Sequence, residues 1–396
     1  MKPLSYAGMI YMSHFNTACL VLSQYTGETV FSDFIKKYFK QNKKFGSRDR
    51  KVISHLCYCF FRMGKAIPNV TMNERILLGL FLCSNESNEI LKELKPGWDN
   101  KVGLPLHQKL SIVHAEFLPG DVFPWKQQLS ESIAYEKFCQ SFFIQPDLFI
   151  RTRPGKAELV KRNLQENKIL FKEIDNSCLE LPNGTKLENI VEPGVDYVIQ
   201  DLNSQGMGMM FKTAIDQLPS SFSVWDCCAG SGGKSLLLFD LHPGIDISVS
   251  DIRGSILNNL KKRFDQSGIN KYESFVADLS RPGFKGVSSS FDLIVCDAPC
   301  TGSGTWSRTP EQLYFFDEAK IDQFATIQRK IISNVLPYLN EKGFFIYITC
   351  SVFRKENEEA ARYAIKEFDL EIIRMEILEG YEKKADTLFA VLFRKN

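Results

Sequence analysis

The sequence predicts an α/β protein whose carboxyl half is a parallel sheet with helices on both faces, and three observations predict it. After about residue 220, four short apolar runs (Ser223 to Asp226, Ile245 to Asp251, Phe291 to Asp297 and Gly343 to Thr349) alternate with helical stretches. Continuous apolar strands separated by helices are the pattern of a sheet buried on both sides. Three of the four runs end in Asp, and carboxylates at the carboxyl ends of parallel strands stand where open α/β sheets bind ligands. The first run leads into Asp226-Cys-Cys-Ala-Gly-Ser-Gly-Gly-Lys-Ser235, where three glycines permit a tight turn and a close backbone approach before a helix.

The rest of the chain divides by texture. Residues 1–140 read as a helical domain with a linker. Apolar spacings of three and four recur through Phe31, Phe34, Ile35, Tyr38 and Phe39, then through Val52, Ile53, Leu56, Cys59 and Phe60. Residues 141–215 read as a small α+β module, with a strand at Leu148 to Arg151 and a helix from Ala157 to Asn167. Residues 216–396 form the α/β domain. Lys36, Lys37, Lys40, Lys43, Lys44, Arg48, Arg50, Lys51, Arg62 and Lys65 stand against the single acid Asp49 in that stretch of the front domain. A charge run is commonly a solvated helix face, but this imbalance also suits a surface facing a polyanion.

Composition narrows the class. Lys plus Arg (49) nearly balances Asp plus Glu (47), for a net charge of +2, which excludes a protein that coats nucleic acid by bulk charge. Eleven cysteines include no C-x-x-C pair and no nearby His at the downstream positions, so neither a zinc site nor a secreted disulfide framework is expected. The longest apolar run, Ile76 to Cys83, is too short to span a bilayer. The expectation is a reduced, cytoplasmic monomer without a metal or a membrane segment.

Three readings compete for the glycine loop, taken as Cys228, Ala229, Gly230, Ser231, Gly232, Gly233 and Lys234. A dinucleotide fingerprint needs a third glycine where Ser235 stands. A phosphate-binding P-loop fits Gly233-Lys234-Ser235, with Leu293 to Asp297 as its magnesium strand, but Cys228 replaces its leading glycine. In an S-adenosylmethionine site the glycines approach the methionine end, and Asp251, ending the next strand, accepts the ribose hydroxyls. The loop alone does not separate these readings.

Asp297-Ala-Pro-Cys-Thr-Gly-Ser-Gly304 does. An acid at a strand end is followed by a Pro-fixed turn presenting Cys300, then by two glycines that admit a flat substrate. Cys350, in Tyr347-Ile-Thr-Cys-Ser351, ends another strand. One buried cysteine is usually a small core hydrophobe. Two at strand ends on the ligand-binding edge suit a pyrimidine methyltransferase, whereas a phosphate hydrolase has no need of thiols there.

With these motifs the carboxyl half resembles the Nop/Sun/Fmu family of RNA cytosine methyltransferases. The elements appear in order: Gln200-Asp-Leu-Asn-Ser-Gln205, the glycine loop, Asp251, Asp278, Asp297-Ala-Pro-Cys300, Gln328, and Thr349-Cys-Ser351 followed by Glu356-Asn-Glu358. The front resembles the NusB-like RNA-binding domain that some members carry, through Phe45-Gly-Ser-Arg-Asp-Arg-Lys-Val-Ile-Ser54 and Phe61-Arg62. The resemblance implies a Rossmann-like class I methyltransferase domain behind an RRM-like α+β module and an all-α NusB-like domain. It implies S-adenosylmethionine, held by the glycine loop, Asp251, Asp278 and Asp297, and an RNA substrate, most readily 16S ribosomal RNA, with transfer RNA the alternative within the family and a P-loop NTPase the alternative outside it.

The family chemistry forms 5-methylcytosine, with Cys350 as nucleophile on carbon-6, Cys300 in proton removal or release, and Asp297 on the base. Arg48, Arg50 and Lys51 are the expected RNA contacts. Two departures stand out: Gly230-Ser231 replaces the usual Ala-Pro of the loop, and Asp386-Thr-Leu-Phe389 replaces Asp-Gly-Phe-Phe. Asp278 also suits a turn, Gln328 a solvated helix face, and Glu356 and Glu358 the charged first turn of a helix.

Overall fold

The structure, a computed structural model, describes residues 6–113, 118–287 and 289–396. The chain forms two compact units: residues 1–127, 134–145 and 306–317 make one, and residues 128–133, 146–305 and 318–396 make the other. The sequence divides the chain into three segments. In the structure the small α+β module lies in the same unit as the parallel sheet, and twelve residues from between two strands lie in the helical unit.

The helical unit is built on α1 (Tyr6–Gln24), α2 (Phe31–Gln41), α3 (Ser47–Arg62) and α4 (Met72–Cys83). The starts of α3 and α4 are fixed locally. Asp49 accepts from the Gly46 N–H ahead of α3 at 2.8 Å, and Thr71 and Glu74 cap α4 reciprocally. The helices cross closely at Gly79, where a Cβ would sit 2.2 Å from the Cys59 carbonyl oxygen. Two cations of the basic run are structural. Arg62 is buried and donates to the carbonyls of Phe142 and Ile144 and to Gln145. Lys65 donates to the Tyr314 carbonyl at 2.8 Å. Lys36, Lys37, Lys40, Lys43, Lys44, Arg48, Arg50 and Lys51 remain exposed, so the basic face is smaller than the sequence count.

The second unit opens with a four-stranded antiparallel sheet in the order β2-β3-β1-β4: β1 (Leu148–Thr152), β2 (Lys172–Glu173), β3 (Cys178–Leu181) and β4 (Tyr197–Ile199). It packs helix α5 (Ala157–Glu166) through Val160 and Leu164 against Ile150, Leu179 and Leu181. Arg151 and Arg153 both pair with Asp240, tying this sheet to the helix that follows the glycine loop.

The main sheet runs β5 (Ser223–Asp226), β6 (Asp246–Asp251), β7 (Glu273–Val276), β8 (Phe291–Asp297), β9 (Leu339–Thr349), β10 (Leu370–Leu378) and β11 (Leu388–Lys395). Its order is β10-β11-β9-β8-β5-β6-β7. β5 to β9 are parallel and β11 is antiparallel to both of its neighbours. Strand alternation sends Val224, Leu293, Val295, Phe344 and Ile346 to one face, under α6 (Gly233–Leu241) and α7 (Gly254–Gln266). Trp225, Ile294, Cys296, Phe345 and Tyr347 go to the other, under α8 (Ala319–Val335) and α9 (Glu358–Glu367). That two-sided burial is why these strands read as unbroken apolar runs. The polar ends of β5, β6, β8 and β9 then emerge together on one edge.

Among the described residues no helix is long and apolar enough to cross a membrane. Gly79→Ala gains helix propensity of about 1 kcal/mol yet must push apart two backbones. It is expected to destabilise the helical unit by roughly 1–3 kcal/mol net, read as a lower midpoint in denaturant unfolding followed by helical circular dichroism. An unchanged or higher midpoint would show that the crossing has slack.

Candidate active site

The carboxyl edge of β5, β6 and β8 encloses a cavity of about 570 Å³, lined among others by Cys228, Gly230, Asp251, Asp278, Asp297, Cys300 and Cys350. This size suits a nucleoside cofactor. The glycine loop is its floor. Gly230 and Gly232 have φ of 53° and 80°, and a Cβ at Gly232 would stand 2.9 Å from Leu260 and Phe264. The loop therefore needs glycine at 232 for conformation and packing alike. Gly230 faces open space, and its N–H donates to Asp251 at 3.1 Å. Ala229 is anchored through its N–H to the Ser250 carbonyl at 2.9 Å. The Gly-Ser pair in place of Ala-Pro is thus held by β6.

Asp251 is buried and also accepts from the Arg253 N–H at 2.9 Å and from its guanidinium at 3.1 Å. The Arg253 side chain is 61% exposed, so this partner can yield to a ligand at small cost. Asp278 accepts from the Ser280 N–H and hydroxyl and pairs with Arg281 at 3.0 Å. These bonds hold its carboxyl below the usual carboxylate range, the Ser280 hydroxyl contributing most. It serves both readings drawn from sequence: a turn residue that also faces the cavity.

Lys234, at the first turn of α6, donates to Asp297 at 2.7 Å. Burial opposes its charge, but Asp297 outweighs that and holds the ammonium protonated. A P-loop lysine must reach a nucleotide phosphate, whereas this one is engaged by the acid ending β8. Beneath the loop Asp226 is fully buried and receives only the Ser235 hydroxyl, at 2.5 Å. Burial pushes its carboxyl up to about 7.

Register brings the two cysteines together. β8 and β9 are neighbours, with Asp297 opposite Ile348. Cys300 lies three residues beyond one and Cys350 two beyond the other, and their sulfurs stand 3.3 Å apart. The Cys300 thiol is pushed well up, first by its hydrogen bond to Cys350 and then by burial. Cys300 therefore keeps its proton. The turn is locked from behind: Gly304 donates to the Cys350 carbonyl and accepts from Thr387, and a Cβ on Gly304 would stand 2.1 Å from the Thr387 carbonyl oxygen. The altered Asp386-Thr-Leu-Phe389 segment thus buttresses the cysteine turn.

Two residues of the motif order, which also suited a solvated helix face and a charged first helical turn, lie elsewhere. Gln328 and Glu356 are fully buried, not on a solvated face or in an exposed first helical turn. Both lie directly behind the Cys300 turn, because α8 and the segment before α9 cover the face of the sheet below it. Hydroxyls at Thr301, Ser303 and Ser351, clustered beside both cysteines in sequence, were the available signal of a buried acceptor there. Cys227, Cys228 and Cys296 also converge, with sulfurs within 4.8 Å of one another. No spacing rule exposes such a group, since it joins a loop to the end of a neighbouring strand. Arg48, Arg50 and Lys51 lie together on exposed α3 surface of the helical unit.

A parallel sheet carrying one antiparallel strand in this order, with a glycine loop and acids at successive strand ends, defines the Rossmann-like methyltransferase fold. Residues 216–391 match the profile of the family 16S rRNA methyltransferase RsmB/F. A probable ribosomal RNA small subunit methyltransferase B of Bacillus subtilis is 27% identical over 239 residues, 59% of this chain and 52% of that protein. Its counterpart in Synechocystis is 23% identical over 71% of this chain and 63% of that protein. The chain thus spans between about half and just under two thirds of these curated relatives. Among solved structures, PH0851 superposes with a TM-score of 0.70 over all of both chains at 18% identity.

Asp226 makes the stability of this domain pH-dependent. An unfolded Asp loses its proton near pH 4, whereas folded Asp226 keeps it to about 7. Stability from this group is therefore full below about pH 4 and is lost as pH rises towards 7. Asp226→Asn keeps the shape without the charge, so it is expected to melt higher than wild type at pH 8, with a smaller difference at pH 5. Equal differences at both pH values would rule Asp226 out as the titrating group.

Proposed function

We propose that the protein forms 5-methylcytosine in RNA using S-adenosylmethionine, most readily in 16S ribosomal RNA. The observation that carries this reading is the pair of thiols, 3.3 Å apart, on a cavity that Asp251, Asp278 and the glycine loop shape for a nucleoside. Proton abstraction or phosphate transfer would use one acid or the lysine, and would leave the two cysteines without a task.

S-adenosylmethionine, when bound, supplies an electrophilic methyl group. The glycine loop would take its amino-acid end, Asp251 the ribose hydroxyls and Asp278 the base edge. Carbon-5 of cytosine is too weak a nucleophile unaided. Addition of the Cys350 sulfur to carbon-6 forms a C–S bond and turns carbon-5 into an enamine-like centre. Asp297, oriented by Lys234, accepts from the exocyclic amine. Lys234 also interacts electrostatically with Cys350. After carbon-5 gains the methyl group, its proton leaves to water. The C–S bond then breaks, and the departing Cys350 thiolate is met by the Cys300 S–H donor. Of the two roles considered for Cys300, its protonated state favours release.

The target base must be unstacked to enter the cavity, which favours loops or unfolded RNA. Arg48, Arg50 and Lys51 of the helical unit would contact phosphates. A transfer RNA substrate is the competing reading within the same chemistry, and methylation of small-subunit rRNA against tRNA transcripts separates the two.

Cys350→Ala is expected to lower methyl transfer by at least about 1,000-fold, whereas Cys300→Ala accumulates a denaturant-resistant protein–RNA adduct. Full activity of the first variant, or normal turnover without adduct in the second, removes the corresponding role. Asp251→Ala should weaken cofactor binding at least about tenfold by calorimetry, since a hydroxyl-accepting carboxylate contributes 1.5–3 kcal/mol in typical cases. Arg253→Ala should bind no more weakly than wild type, because its guanidinium competes for the same oxygens. Unchanged affinity in Asp251→Ala would reject the ribose assignment.

A further inference from the structure

Glu356 is fully buried, yet it receives four hydrogen bonds, three of them from residues next in sequence to the two thiols. Its Oε1 accepts from the Thr301 and Ser351 hydroxyls, each at 2.6 Å. Its Oε2 accepts from the Thr301 N–H at 2.9 Å and from Gln328 Nε2 at 3.0 Å. Thr301 follows Cys300, Ser351 follows Cys350, and Gln328 also donates to the carbonyl of Pro299 at 3.0 Å. One carboxylate therefore gathers the turn after β8, the turn after β9 and a side chain of α8. We propose that Glu356 is the positioning residue that sets the spacing of Cys300 and Cys350, by clamping both cysteine-bearing turns to a single buried acceptor. The inference rests on reading these thiols as the reacting pair.

The clamp is itself anchored. The Glu356 carbonyl accepts from the buried Tyr347 hydroxyl at 2.8 Å, and its N–H donates to Phe353. Asn357 accepts from Thr349 and donates to the Ser351 carbonyl. Both ends of the residue are thus fixed to β9 and the turn after it. None of the ion pairs among the described residues includes Glu356. A carboxylate buried without a cation is costly, and four donors offset that cost only while both turns stay in place. Burial and the hydrogen bonds act in opposite senses, and burial prevails, lifting its carboxyl above the usual range. The dependence is geometric. Nucleophile and release group must meet one base, and a displacement of about 1 Å at such a site costs on the order of 100-fold in rate.

The bond pattern supplies a clean test. In Glu356→Gln the amide oxygen can take the Oε2 position, accepting from Thr301 N–H and Gln328. The amide nitrogen takes the Oε1 position, where it donates to two hydroxyls that can rotate to accept. The clamp survives without the charge, whereas Glu356→Ala removes it. Turnover is measured with RNA and cofactor varied separately. In parallel, the Cys300–Cys350 pair is bridged by a short bifunctional alkylating reagent in the absence of RNA, with the bridged peptide quantified by mass spectrometry.

Glu356→Ala is expected to lower kcat at least about 20-fold with both KM values within about threefold, and to slow bridging at least about tenfold. Glu356→Gln is expected to stay within about threefold of wild type in both. Wild-type kcat and bridging in Glu356→Ala, or equal damage in Glu356→Gln, would overturn the clamp. If Glu356→Ala fails to fold, Thr301→Val deletes one arm while filling the same space. Slower bridging, by about threefold or more, then supports the clamp, and unchanged bridging overturns it. Absence of methyl transfer by the wild type would defeat the functional reading alone, since the bridging assay does not depend on it.

Discussion

Lys234 and Asp297 come from different elements, the first turn of α6 and the end of β8, and their 2.7 Å contact joins the two loops that make the cavity. Neither charge is freely solvated, so each depends on the other: removing one partner leaves a partly buried charge uncompensated. The pair fixes which way the glycine loop closes, because the lysine backbone belongs to it. It also fixes the carboxylate that begins the Pro-Cys turn. The remaining polar groups of the edge are arranged around this contact, with Asp226 below it, Asp251 and Asp278 along the floor, and the two thiols on the far side.

That edge exists because the strands beneath it are apolar on both faces. Leu293 to Cys296 and Phe344 to Ile348 are completely buried, and their alternation feeds two separate cores. Such strands cannot carry polar side chains along their length, so polar chemistry is confined to their ends. Parallel pairing of β5, β6, β8 and β9 then puts those ends together. The antiparallel β11 adds a second constraint, since the segment leading into it returns beside the Cys300 turn and meets Gly304 backbone to backbone.

The helical unit shows how a charge run divides on folding. Arg62 and Lys65 look in sequence like Arg48 and Lys51, but they are spent on carbonyl oxygens inside the unit, whereas the others stay on the surface. Arg75, outside the basic run, is buried in the same manner, with its guanidinium donating to Phe60, Ala66 and Gly64 carbonyls. Charge counting finds the cluster but not its membership, because an arginine stem packs in a core as readily as on a surface once carbonyls meet the head group.

Strands β5, β6, β8 and β9, their order of appearance, the glycine loop, the acids at strand ends and the two cysteines were all legible in the chain. Each is a local pattern: an apolar run, a turn residue, or a reactive side chain placed next to one. β7 and β10, with their partly exposed side chains, were not, because neither keeps the continuous apolar run that marks the buried strands; β11 was not read either, although Leu388 to Phe393 is such a run. The sequence by itself therefore determined the fold class and the chemical inventory of the edge. Only the tertiary structure decided which members of that inventory meet. It placed Cys300 against Cys350, closed Lys234 on Asp297, and buried Gln328 and Glu356 behind the thiols. Those contacts join residues 28 to 63 positions apart, and their geometry comes from strand register and helix packing, which no local pattern encodes.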